Sequence, residues 1–143
     1  TTYLQKLAKD SGALVPQPAS DLLFLETVAA ELAQADLDAL APSGTTSQLL
    51  RRFLVEIDCS QNPRDLSEGQ KLILALSIQL AKSPDLLMLD EPTIGLDTPN
   101  RQALVHIIGD LANRGVEILV ATHDREFAKA ITNRTLEVAS VRQ

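Results

Sequence analysis

Two acidic residues, Asp90 and Glu91, stand side by side at the end of the apolar run Leu86-Leu87-Met88-Leu89 and are followed at once by Pro92. A run this short, bounded by Pro84 and Pro92, fits a fully buried strand of a parallel sheet. Open α/β sheets bind ligands outside the carboxyl ends of their strands, which is where this pair falls. Neighbouring strand residues point to opposite faces. One carboxylate can therefore hold a magnesium ion while the other orients a water. His123 stands in a similar place, after residues 116–121 (VEILVA), which read as the next buried strand. Leu66-Ser67-Glu68-Gly69-Gln70 puts a hydroxyl and a glycine at a helix N-terminus, where free N–H groups and the helix dipole favour an anion.

The elements that must position these groups follow from periodicity. Ile73, Leu74, Leu76, Ile78 and Leu80 give the helix after Ser67 an apolar face that closes at Lys82-Ser83-Pro84. Asp97 or Thr98 caps a further helix with Pro99 in its first turn and Leu104, Ile107, Ile108 and Leu111 as its apolar positions. Gly115 stops it near Arg114. Asp124 caps another helix through Ala130, and residues 133–139 read as a last strand.

Towards the other end, residues 1–10 fit one or two amphipathic turns, and Ala13-Leu14-Val15 a short strand ended by Pro16-Gln17-Pro18. Thr27 is an N-cap for a helix to about Ala35. Residues 36–47 read as a polar connection, and residues 48–57 as an amphipathic helix with Arg51 and Arg52 on its solvated face. Alternating strands and helices argue for a parallel α/β sheet. The helices between Gln17 and Ser67 form a small helical subdomain, too short and without heptads for a coiled coil.

The 143 residues suit one domain or a large piece of one, and 45% apolar with 3% aromatic residues implies an aliphatic core. A formal charge of -6 disfavours non-specific nucleic-acid binding. Cys59 is the only cysteine, which excludes an internal disulfide and reads as a buried free thiol. No stretch is long and apolar enough to cross a bilayer, so a membrane connection is expected to come through a partner. Among its six glycines the chain nowhere carries the phosphate-cradling G-x-x-x-x-G-K-[ST]. With Thr1 in first place, the expectation is a fragment whose upstream part holds that loop.

LSEGQ at Leu66–Gln70, LLMLDEP at Leu86–Pro92, GLD at Gly95–Asp97 and ATHD at Ala121–Asp124 together resemble the second half of an ABC-type ATPase. They match its signature motif, Walker B strand, D-loop and H-loop, in the family's order. The resemblance spans about Gly12 to Ala139. It implies a partial P-loop NTPase fold with an inserted helical subdomain: residues 1–18 as the end of a core strand and the Q-loop, 19–82 as the helical subdomain with the signature helix, and 83–143 as the Walker B, D-loop and H-loop part. It further implies ATP and Mg2+ as ligands, Asp90 and Gln17 at the metal, Glu91 aligning the attacking water, and His123 on the γ-phosphate. Ser67, Gly69 and Gln70 would cover the nucleotide of a second, head-to-tail ATPase domain, with Asp97 at the seam.

Gln17 and the helical subdomain would face an integral membrane transporter subunit, at the cytoplasmic face of the membrane. The order Gln-Pro, Phe24, then Thr27-Val28-x-x-Glu31-Leu32 is similar to importers of the energy-coupling-factor or cobalt type. Glu68 replaces the first glycine of the commoner LSGGQ, and is expected to point away from phosphate. The alternative reading is an interaction module without Walker A that lends only LSEGQ to a complete ATPase. A DNA-associated ABC ATPase fits poorly with the acidic charge and short insert.

Overall fold

The structure, a computed structural model, describes residues 12–53, 56–131 and 136–139. The amphipathic turns expected at residues 1–10, and residues 133–135 of the last strand, lie outside the described residues. Two compact units emerge, Pro18–Pro84 and the pair of segments Thr1–Gln17 and Asp85–Gln143.

The first of these units is helical. Helix α1 (Val28–Asp38) begins at Thr27, whose hydroxyl accepts the Ala30 N–H at 3.0 Å. Its other leading N–H groups are also spoken for: Val28 donates to the Gln61 carbonyl, Ala29 to that of Cys59 and Glu31 to that of Thr27. Helix α2 (Thr45–Phe53) starts three residues earlier than expected; residues 54–55 lie outside the described residues, and 56–57 are not helical. Its start is set from a distance. The Asp36 carboxylate accepts the Gly44 and Thr46 N–H groups, each at 2.8 Å, and the Thr46 hydroxyl at 2.7 Å. Asp36 is thus a buried residue of α1, not part of a connecting loop.

Cys59 is only half-buried, which corrects the expectation of a buried thiol. Helix α3 (Glu68–Leu80) opens with a reciprocal capping box. The Ser67 hydroxyl accepts the Gln70 N–H at 3.1 Å, and the Gln70 side chain accepts the Ser67 N–H at 3.0 Å. Leu72 through Ser77 are all buried, so α3 is enclosed beyond the single apolar face read from its spacing.

The other unit holds a parallel sheet in the order β1 (Gly12–Val15), β2 (Leu86–Asp90), β3 (Glu117–Ala121) and β4 (Leu136–Ala139). Leu87, Met88, Leu89, Ile118 and Val120 are all essentially inaccessible. Burial on both faces is why these strands read as continuous apolar runs. A Cβ on Gly12 would lie 2.9 Å from the Leu86 carbonyl oxygen, so the approach of β1 to β2 requires glycine. Helix α4 (Thr98–Asn113) joins β2 to β3 and buries Leu104, Ile107, Ile108 and Leu111; the Asp97 carboxylate caps it through the Asn100 N–H at 3.0 Å. Helix α5 (Arg125–Ile131) follows β3 and buries Phe127 and Ile131. The register sets Val15 opposite Leu89, and Asp90 opposite Ala121. The carboxyl ends of the first three strands therefore come out at one edge.

Candidate active site at the carboxyl edge of the sheet

At that edge β2 ends with Asp90, and the chain turns sharply at Glu91, whose φ of 46° is left-handed. A non-glycine residue there costs about 1–2 kcal/mol, and such strain gathers at functional sites. The turn is pinned by the Glu91 N–H, which donates to the Ala121 carbonyl at 2.7 Å. Strand alternation does not continue through such a residue, so the expected division of Asp90 and Glu91 onto opposite strand faces is replaced by another geometry. The Glu91 carboxylate reaches the residues that follow β3. It accepts the His123 N–H at 3.1 Å and the Thr122 hydroxyl at 3.4 Å, and it meets the His123 Nδ1.

Asp90 is 4% exposed and takes no hydrogen bond from the described residues. Burial, reinforced by the neighbouring Glu91 charge, pushes its carboxyl above the ordinary range. A cation would offset that burial. Among the described residues no group of three His, Cys, Asp or Glu side chains could cage a metal. A lone carboxylate suits magnesium, which keeps waters and phosphate oxygens as its other ligands.

Around His123 the turn is tied down. The Asp124 N–H donates to the Thr122 hydroxyl at 3.0 Å, and the Asp124 carboxylate accepts the Phe127 N–H at 3.0 Å. That carboxylate also pairs with Arg101 of α4. The Phe127 N–H first, with the Arg101 charge and the side-chain hydrogen bonds adding to it, holds the Asp124 carboxyl below the usual range.

Comparison with known proteins fits this geometry. The family model described as "AAA domain, putative AbiEii toxin, Type IV TA system" matches residues 4–128. A "Putative ABC transporter ATP-binding protein" of Streptomyces coelicolor is 50% identical over 126 residues, which are 88% of this chain and 22% of that protein. One of the same description from Streptomyces avermitilis is 46% identical over 127 residues, 89% of this chain and 23% of the relative. The chain belongs to the ABC ATPase family.

Solved ABC structures share its fold. The dimeric structure of a bacterial ABC transporter cassette superposes with a TM-score of 0.70 at 24% identity, covering 97% of this chain and 62% of that one. A part of an ABC transporter complex from Clostridium perfringens gives 0.72 at 25% identity, covering 99% of this chain and 59% of the other. The chain thus spans under a quarter of its two Streptomyces relatives.

Within the ABC frame, the structure brings Asp90, Glu91 and His123 together. Gln17 is exposed two residues past Val15 of β1, at the same sheet edge, without a hydrogen bond among the described residues. Asp97 caps α4. Ser67, Gly69 and Gln70 belong to the helical unit, where the capping box leaves the Glu68 and Gly69 N–H groups without a partner among the described residues at the start of α3. Glu68 itself meets Lys71 at 3.6 Å across the first turn. Sequence reasoning missed Thr122 and Arg101. Thr122 lies within the ATHD motif and could have been found there; nothing local marks Arg101, 23 residues from its partner.

Proposed function

We propose that the full-length protein carrying this chain is the ATP-binding subunit of an ABC importer, and that it hydrolyses MgATP in a head-to-tail dimer. The observation that carries this reading is the Glu91 carboxylate, held at the sheet edge by the His123 N–H and ring. Glu91 aligns the attacking water as general base, and the His123 ring steadies Glu91 and meets the γ-phosphate. Magnesium, when bound, neutralises charge on the phosphate oxygens, and Asp90 with Gln17 would hold it, in part through water. Ser67, Gly69 and Gln70 serve the nucleotide of a second ATPase domain, whose phosphates the open N–H groups of α3 would stabilise. Asp97 lies at that seam.

The helical unit and Gln17 transmit closure to a membrane subunit at the cytoplasmic face. Among the described residues no helix is long and apolar enough to cross a membrane. Importer character of the energy-coupling-factor type rests on the resemblance around Thr27–Leu32. A module that merely lends LSEGQ has no chemical use for the Asp90, Glu91 and His123 set, which favours the catalytic reading. His123→Ala in the full-length protein should lower kcat for ATP about a hundredfold while nucleotide affinity stays within a few-fold. Unchanged turnover would remove His123 from the mechanism.

A further inference from the structure

The Glu91 carboxylate is gripped by more than His123. One of its oxygens accepts the Thr122 hydroxyl, and that same hydroxyl oxygen accepts the Asp124 N–H. Thr122 is 2% exposed, so its hydroxyl is shielded from water that could substitute. The Asp124 side chain is in turn fixed by the Phe127 N–H and the Arg101 guanidinium. Arg101 sits one turn into α4, its own N–H donating to the Asp97 carbonyl at 3.0 Å. An unbroken series of bonds thus runs from the first turn of α4 to the carboxylate on Glu91.

We propose that Thr122, Asp124 and Arg101 are positioning residues that aim the Glu91 carboxylate, locking the turn after β3 to the start of α4. This rests on the reading of Glu91 as the base for ATP hydrolysis. None of the three need touch nucleotide. Arg101 restrains the Asp124 carboxylate, Asp124 fixes the backbone of the turn, and Thr122 passes that restraint on to one oxygen of Glu91. From the same turn the His123 N–H reaches both oxygens, and the His123 ring meets the one that Thr122 does not. A loosened turn would release both oxygens together, and small misplacements of a catalytic group can cost up to about a hundredfold in rate. Because Asp97 caps α4 and also anchors the Arg101 N–H, a shift at Asp97 would reach Glu91 along this route.

The test is steady-state phosphate release and ATP affinity for variants of the full-length protein, with melting temperature measured alongside. Thr122→Val keeps the shape and removes the hydroxyl; Thr122→Ser keeps the hydroxyl. The valine variant should lose about tenfold in kcat with KM within threefold, and the serine variant should stay within threefold of wild type. Arg101→Ala and Asp124→Asn should each lower kcat similarly, and the double variant should be no slower than either single one, as for residues acting through one path. Arg114→Ala, which breaks the exposed pair with Asp110 at 3.1 Å, should leave turnover unchanged.

Wild-type kcat in Thr122→Val and Arg101→Ala, beside a silent Glu91→Gln, would overturn the relay while leaving the ATPase reading intact. A loss of melting temperature with unaltered kcat would reduce these residues to scaffolding and likewise overturn it. Full turnover in Glu91→Gln would overturn the reading of Glu91 and the relay with it.

Discussion

Asp90 and Glu91 are neighbours in sequence with opposite surroundings. Glu91 is surrounded by donors from the turn after β3, whereas Asp90 is buried without a donor among the described residues. Burial raises the Asp90 pKa, so the folded state favours its protonated form. The penalty is absent below the ordinary carboxylate range and grows as pH rises through the raised folded value. Asp90→Asn should therefore raise the melting temperature at neutral pH, with the gain shrinking towards pH about 4, while Mg-dependent turnover is lost. A variant less stable than wild type at neutral pH would show that the carboxylate has a stabilising partner. The pair itself was legible, because an apolar run bounded by two prolines has few places to go but a buried strand. The left-handed backbone at Glu91 was not. It depends on the Glu91 N–H reaching Ala121 in β3, a tertiary contact that overrides the local preference of glutamate.

Helix ends show the same division between local and distant causes. The Thr27 and Asp97 caps were visible because the capping oxygen lies within three residues of the N–H it takes. The start of α2 was misplaced because its cap is Asp36, eight and ten residues away on another helix. Asp36→Ala should destabilise the protein by about 1–3 kcal/mol by orphaning two N–H groups and the buried Thr46 hydroxyl, read by urea unfolding; a loss under about 0.5 kcal/mol would mean water replaces the carboxylate. The Thr46 hydroxyl, ahead of the two N–H groups, holds the Asp36 carboxyl below its usual range. That contribution is present above the ordinary carboxylate pKa and is lost as pH falls through the lowered folded value. Wild type and Asp36→Ala should thus converge in strong acid. Ser67→Ala removes half of the capping box of α3 and should cost about 1 kcal/mol, with thermal unfolding as the measurement.

At the scale of the molecule, the parallel sheet and helical unit are those of an ABC ATPase, and the aliphatic composition and strand-helix alternation announced both. The four motifs, in order, carried the family. What they left out was the set of bonds between motifs: Arg101 to Asp124, and Thr122 to Glu91. Such bonds join segments remote in sequence, and no spacing rule encodes them. Glu91 is proposed as the base that drives ATP turnover. The measurement that bears on it most directly is phosphate release from MgATP by the full-length protein, wild type beside Glu91→Gln, at matched nucleotide occupancy. Wild type should turn over in a Mg-dependent way, while Glu91→Gln binds ATP and releases phosphate at least about a hundredfold more slowly. Equal turnover by the two proteins would contradict it.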